Sequence, residues 1–216
     1  MQQQFWQARW QSGRTGFHRS EVNDALVSFG AHVFGHEPVR ILVPLCGMTL
    51  DLDWLVHQGH HVVGVEFVPE AVAQLKERMG EPVSVTELAA GLVEWRWSDR
   101  FSVLQGDLFR LGELSLTPFD GIWDRAAIVA LDPTTRRAYA KVLLQHLKPG
   151  GAILMRTFAY DQSVMEGPPF SVTEDDLRVL FQGVTVSSLA SESSEPDEKF
   201  QERRLTWQRV DTFCLR

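Results

Sequence analysis

The chain has 216 residues, of which 44% are hydrophobic, and a formal net charge of −7. That length fits one domain with a full core, and an acidic balance without a basic run makes nucleic acid and anionic membrane poor partners. The two cysteines, Cys46 and Cys214, lack metal-type spacing and no apolar stretch approaches the roughly 18 residues of a membrane span, so the chain reads as cytoplasmic, free of disulfides and without a signal peptide.

Residues 3–12 carry Phe5, Trp6 and Trp10, the two tryptophans one helical turn apart. That spacing predicts a short helix with an aromatic stripe, ended by Gly13. "RTGFHRSEVN" reads as a loop, followed by a second helix over about 21–34. The pattern then changes. "VRILV" is a short apolar strand, "TLDLDWLVHQG" a helix ended by Gly59, "HVVGVE" (61–66) a buried strand, and "PEAVAQLKERMG" a helix with Pro69 at its start and Gly80 at its end. Strand–helix–strand–helix predicts an α/β fold with a mostly parallel sheet.

Further along, 93–107 reads as a strand pair turning near Ser98 and Asp99, 119–124 as a strand, 134–147 as a helix stopped by "KPGG", and 152–158 as a strand. "YDQSVMEGPPF" is a long loop, and Thr173 caps the helix "EDDLRVLF". Two last strands lie near 184–190 and 205–214, joined by the polar loop "SESSEPDEKFQER", so one of them runs antiparallel. The count is about seven strands.

In such sheets a ligand sits beyond the carboxyl ends of the strands. Four strand ends carry informative residues: Pro44 to Gly47, Glu66, Gly106 to Leu108, and Trp123 to Arg125. Glu66 is placed to accept both hydroxyls of a ribose. The loop "PLCGMTL" has one glycine where a dinucleotide site has G-x-G-x-x-G, so nothing there is built to cradle phosphate. That counts against a nicotinamide cofactor and fits one with ribose and adenine but no phosphate, such as S-adenosylmethionine. Asp107 is either a turn or cap residue or an acceptor for the adenine amino group. Cys46 reads as a packed residue, and His57, His60 and His61 as solvated, so no metal is expected.

"FWQARWQSGRTGFH", "ILVPLCGMTLDLDWL", "VVGVE", "IWDRAAIVAL" and "MEGPPF" occur in this order. Together they resemble the thiopurine S-methyltransferase family in its bacterial form, from Phe5 to about Trp207. The resemblance implies a class I S-adenosylmethionine-dependent methyltransferase fold. This is a three-layer α/β sandwich with a seven-stranded, mostly parallel sheet, here one domain over 1–216 whose N-terminal helical segment (about 1–35) covers the cofactor. It implies transfer of a methyl group to the sulfur of an aromatic or heterocyclic thiol, or to selenium or tellurium, leaving S-adenosylhomocysteine. By the same resemblance Trp10, Leu45, Gly47, Glu66, Asp107, Leu108 and Arg125 hold the cofactor. Trp6 lies close to Trp10 over the cofactor, while Phe17, Arg125, Arg203 and Trp207 line the substrate side, with Pro168, Pro169 and Phe170 as a covering loop. Met48 and Thr49 stand where many relatives carry Lys-Ser, on the far side of the loop.

Methyl transfer from a sulfonium is an in-line displacement that mainly needs positioning and exclusion of water. A thiol supplies its own strong nucleophile as thiolate. A nearby cation that favours the anion is then enough; Arg125 is the candidate for that role, with Arg203 as a second, and Asp124 anchors Arg125 or takes a proton through water. The rival readings are an oxygen or nitrogen methyltransferase, for which His18 is the candidate base, and a non-catalytic cofactor-binding protein. The partner is a small molecule and the chain a monomer. The tryptophan-rich stretch at 93–97 has no assigned role.

Overall fold

The structure is a computed structural model that describes residues 3–196 and 198–216. In chain order its helices are α1 (Gln3–Gln11), α2 (Asp24–Phe34), α3 (Asp51–His57), α4 (Pro69–Met79), α5 (Pro133–His146), α6 (Glu174–Leu180) and α7 (Glu198–Gln201). The strands are β1 (Arg40–Pro44), β2 (His61–Glu66), β3 (Ser84–Glu87), β4 (Val93–Ser98), β5 (Phe101–Gln105), β6 (Phe119–Arg125), β7 (Leu147–Ala159), β8 (Val186–Ser194) and β9 (Gln208–Leu215). Among the described residues they form one nine-stranded sheet in the order β3-β4-β5-β2-β1-β6-β7-β9-β8.

The central strands β5, β2, β1, β6 and β7 are parallel neighbours, while β9 runs antiparallel to β7 and β8 antiparallel to β9. Side chains alternate between the two faces of each strand, and two cores result. Leu42, Val63, Ile122 and Ile153 pack with Tyr139 and Leu143 of α5 and Leu177 of α6. Ile41, Val62, Trp123 and Leu154 pack on the other face with Leu26 of α2, Leu52 and Leu55 of α3, and Leu75 of α4. These are the three layers expected of the class I methyltransferase fold.

The sheet has nine strands where about seven were expected: the segments read one by one already give eight, because the pair at 93–107 is two strands, β4 and β5, and one more was missed. β3 adds a strand at the edge, antiparallel to β4, and all four of its residues are exposed. Without a buried face it has no apolar alternation to read. The acidic loop was expected to begin soon after 190, but β8 runs on to Ser194, since pairing with β9 satisfies its backbone whatever its side chains are. The tryptophan-rich β4 also gains an account. Trp95 Nε1 donates to Gln105 Oε1 at 2.9 Å, and Trp97 Nε1 to the Gly80 carbonyl at 2.8 Å while its ring stacks on Phe101. These two indoles tie β4 to β5 and to the end of α4.

Candidate active site

The parallel strands all end on one rim, and the loops after β1, β2 and β6 line a cleft of about 780 Å³ of empty space, open to solvent on one side. The first loop turns back sharply. Leu45 has φ 46° and Gly47 φ 53°, a left-handed conformation that glycine adopts freely and leucine at a cost of about 1–3 kcal/mol. Cys46 N donates to the Val65 carbonyl at 3.0 Å, holding the turn over β2. The glycine of "VVGVE" makes room for it: a Cβ on Gly64 would lie 2.7 Å from Cys46 Sγ. Burial, with Glu66 close by, pushes the Cys46 thiol up, so it stays protonated and inert.

Glu66 ends β2 and is only 5% exposed. Its Oε1 accepts from Phe67 N and Val68 N and its Oε2 from Gly47 N, each at 2.7 Å. Burial raises its pKa and these three bonds oppose the rise. A carboxylate offers about four acceptor positions, so capacity for a hydroxyl donor is left.

Trp10 closes the cleft from above. A Cβ on Gly47 would sit 3.1 Å from its ring, and its ring meets Phe17 edge-on at 5.6 Å, with Trp6 against the same Phe17 at 5.5 Å. Arg125, at the end of β6, donates from Nη1 to the Phe17 carbonyl at 2.8 Å. It is half-buried, and burial lowers its pKa, opposed by Asp51 and reinforced by Arg19. Arg125 and Ala126 line this cleft and two further cavities. One of these has about 1340 Å³ of open-mouthed space, bounded by Phe17, Phe158, Pro168, Pro169 and Arg203.

The structure thus brings Trp10, Leu45, Gly47, Glu66 and Arg125 to one cleft and Phe17, Arg125, Pro168 and Arg203 to the cavity beside it. Four assigned residues lie elsewhere. Asp124 points to the opposite face of β6, as alternation requires. It is fully buried and accepts from Tyr139 Oη at 2.7 Å and from Ile128 N at 3.2 Å, so it does not meet Arg125 in the cleft. Burial pushes its pKa up to about 6. Phe170 packs its ring on Gly167 and under the Arg136 guanidinium, away from the cavity its neighbours line. Asp107 caps the short helical turn Leu108–Glu113, accepting from Phe109 N at 3.0 Å, and neither it nor buried Leu108 lines the cleft. Met48 and Thr49, expected on the far side of their loop, line the cleft.

Asp51 was missed. It opens α3, lies 1% exposed in the cleft wall, and accepts from Asn23 N at 2.8 Å and Trp123 Nε1 at 2.9 Å. In sequence an aspartate at a helix start reads as a partner of the helix dipole; no local signal points to the distant Trp123. His18 also lines the cleft, and burial, with Arg78 and Arg125 nearby, lowers its pKa and keeps it neutral. Among the described residues no three His, Cys, Asp or Glu side chains converge as a metal site would require.

A model of the thiopurine S-methyltransferase (TPMT) family matches residues 1–215. The chain is 39% identical to the thiopurine S-methyltransferase of Legionella pneumophila (strain Corby) over 180 residues, 83% of this chain and 80% of that protein. It is 39% identical to that of Bordetella petrii over 220 residues, covering 100% and 98%. Among solved structures it is similar to a Burkholderia thailandensis N1-methyltransferase that carries 1,6-didemethyltoxoflavin and S-adenosylhomocysteine. There the TM-score is 0.62 at 21% identity, with 98% of this chain and 86% of that one covered.

Proposed function

This chain belongs to the thiopurine S-methyltransferase family, whose cofactor is S-adenosylmethionine, and we propose that it methylates the sulfur of aromatic or heterocyclic thiols. Selenium and tellurium nucleophiles, soft like sulfur, fall within the same proposal. The observation that carries it is Arg125, one half-buried guanidinium shared by the cleft and the aromatic-lined cavity beside it. S-adenosylmethionine supplies a methyl group already activated on a sulfonium.

The cleft suits that cofactor. Without a Cβ, Gly47 lets the Trp10 ring close on the loop, Glu66 retains acceptor capacity for ribose hydroxyls, and the turn offers no phosphate cradle. We assign Trp10, Leu45, Gly47, Glu66 and Arg125 to binding it. Asp107 and Leu108 follow the end of β5 beside Glu66, where Gly106 N donates to the Glu66 carbonyl at 2.8 Å, and we keep them for the adenine.

Arg125 stabilises a thiolate through its charge, so a strong base is unnecessary. Trp10, Phe17 and the Pro168–Pro169 segment exclude water and hold the acceptor in line. We reassign Asp124 from chemistry to support: by accepting from Ile128 N it fixes the turn that follows Arg125. A second reading rests on His18, neutral and lining the cleft, which would serve as base for an oxygen or nitrogen acceptor. We also propose a cytoplasmic monomer. Both cysteines are free and buried, and among the described residues no helix is long and apolar enough to cross a membrane.

The test is transfer of labelled methyl from S-adenosylmethionine to an aromatic thiol, a thiopurine, selenite, a catechol and an aromatic amine. Label on the sulfur and selenium compounds alone is expected. Label on the catechol or amine alone favours the His18 reading. Arg125→Ala should lower kcat for the thiol about tenfold or more, since a neighbouring cation shifts an anion's pKa by about 1–3, with a much smaller loss of thermal stability. Full thiol turnover in Arg125→Ala would refute its role.

A further inference from the structure

Among the described residues, the cavity beside the cleft is lined by apolar and aromatic side chains, by Gln208 and by four arginines, Arg9, Arg19, Arg125 and Arg203, with no carboxylate. This is unexpected in a chain with 28 acidic and 21 basic residues. Most of the arginine and lysine ion pairs elsewhere follow the usual rule: Arg78 meets Asp53, Arg156 meets Asp24, Lys148 meets Asp120. Among the described residues none of the four cavity arginines is in an ion pair. Three of them donate to backbone carbonyls, Arg9 to that of Arg14 at 3.4 Å, Arg125 to that of Phe17 at 2.8 Å and Arg203 to that of Pro168 at 3.5 Å, and the Arg9 guanidinium also lies over the Phe5 ring at 5.0 Å.

The arrangement has a direction. Arg125 also lines the cofactor cleft, so it stands at the end where the methyl group is transferred. Arg9 and Arg203 line only the outer cavity and approach it from two separate parts of the chain, α1 and the segment after α7. They repel each other: Arg203 is among the causes that lower the Arg9 pKa, after burial and Arg14. Asp51 and Asp24 offset part of the charge at Arg125, but among the described residues neither Arg9 nor Arg203 has an ion-pair partner; converging like charges cost energy, and a bound anion lowers that cost. A guanidinium also matches a carboxylate or phosphate in two-point geometry.

Resting on the sulfur-methylation reading above, we infer that the acceptor is an aromatic thiol with an anionic group, a carboxylate or a phosphate-type group, at the end remote from the sulfur. Arg9 and Arg203 bind that group, the aromatic side chains between them and Arg125 clasp the ring, and the sulfur lies at Arg125. These two arginines select the substrate and take no part in the chemistry.

The experiment compares kcat/KM for 4-mercaptobenzoate, 4-mercaptobenzamide and 4-(phosphonomethyl)benzenethiol, in the wild type and in the Arg9→Gln/Arg203→Gln double variant, at low and high salt. The wild type should favour at least one of the two anionic thiols over the neutral amide by about tenfold or more, the worth of one good charged contact. Which of the two is preferred separates a carboxylate from a phosphate-type group. High salt should shrink the preference, and the double variant should bring it close to one. Equal kcat/KM for all three thiols in the wild type would overturn the inference and leave sulfur methylation standing. A preference untouched by the double variant, itself shown by its melting curve to be folded, would also overturn it. Transfer to none of the thiols would overturn the sulfur reading and the inference with it.

Discussion

Glu66 illustrates what one side chain can hold together. Its carboxylate joins the end of β2 to the β1 loop through three backbone N–H groups. Glu66→Gln keeps the shape but turns an amide donor toward one of those donors. The expected cost is about 1–3 kcal/mol of stability, read as a lower urea midpoint, together with a cofactor Kd raised about tenfold or more by calorimetry. Its place at the end of β2 in the cleft wall was legible from the strand–loop–helix pattern that precedes it. The bond from Gly47 N was not, since it needs the β1 loop to turn back through a left-handed Leu45 that no sequence rule supplies. Asp124 and Arg125 read as a pair in sequence, and the pleat of β6 separates them.

Asp124 also sets a pH dependence. Its pKa rises from 3.8 to about 6 on folding, chiefly through burial. Below about pH 4 both folded and unfolded forms hold the proton and there is no cost. As pH rises through 6 the folded form must ionise in the core, and stability worth ~3 kcal/mol is lost. Asp124→Asn does not titrate. The stability difference between variant and wild type should therefore shift in the variant's favour by about that amount between pH 4 and pH 7, measured by urea unfolding. A difference flat across that range would show that Asp124 does not titrate there.

Elements were read more securely than side-chain partners. The βαβα run from β1 to α4 follows its apolar periods and its Pro69 and Gly80 signals. β3 escaped because an exposed edge strand has no buried face. Two glycines show how strands accept their neighbours. A Cβ on Gly64 would meet Cys46 Sγ at 2.7 Å, and one on Gly121 would meet the Phe34 ring at 2.6 Å. Either substitution by alanine should cost about 1–3 kcal/mol by overpacking. Gly64→Ala pushes on the cofactor loop and should also weaken cofactor binding, whereas Gly121→Ala pushes on α2 and should leave binding unchanged. Melting curves with and without S-adenosylmethionine separate the two effects.

At the scale of the whole molecule, the sheet and the cleft have different supports. Both cores are built from the sheet and from α2 to α6. α1 instead packs beside the cleft, where Trp10 clusters with Phe17, Val68 and Ala71. Removing residues 1–21 should leave the far-UV spectrum of the sheet intact and lower the melting temperature slightly, while the cofactor Kd rises about tenfold or more by calorimetry. The aromatic stripe of α1 was legible in sequence, but generic periodicity cannot tell a helix that completes a core from one that closes a cleft.

Arg125 lines three cavities at once. Thermodynamic linkage requires that whatever factor an acceptor adds to cofactor affinity, the cofactor return to the acceptor. The charge on that one side chain gives the factor a sign. On the proposed placement, an anionic acceptor beside Arg125 would offset its repulsion of a sulfonium in the cleft and would do nothing comparable for an uncharged thioether. The acceptor thereby strengthens the enzyme's discrimination between fresh and spent cofactor, so product inhibition should weaken as acceptor concentration rises.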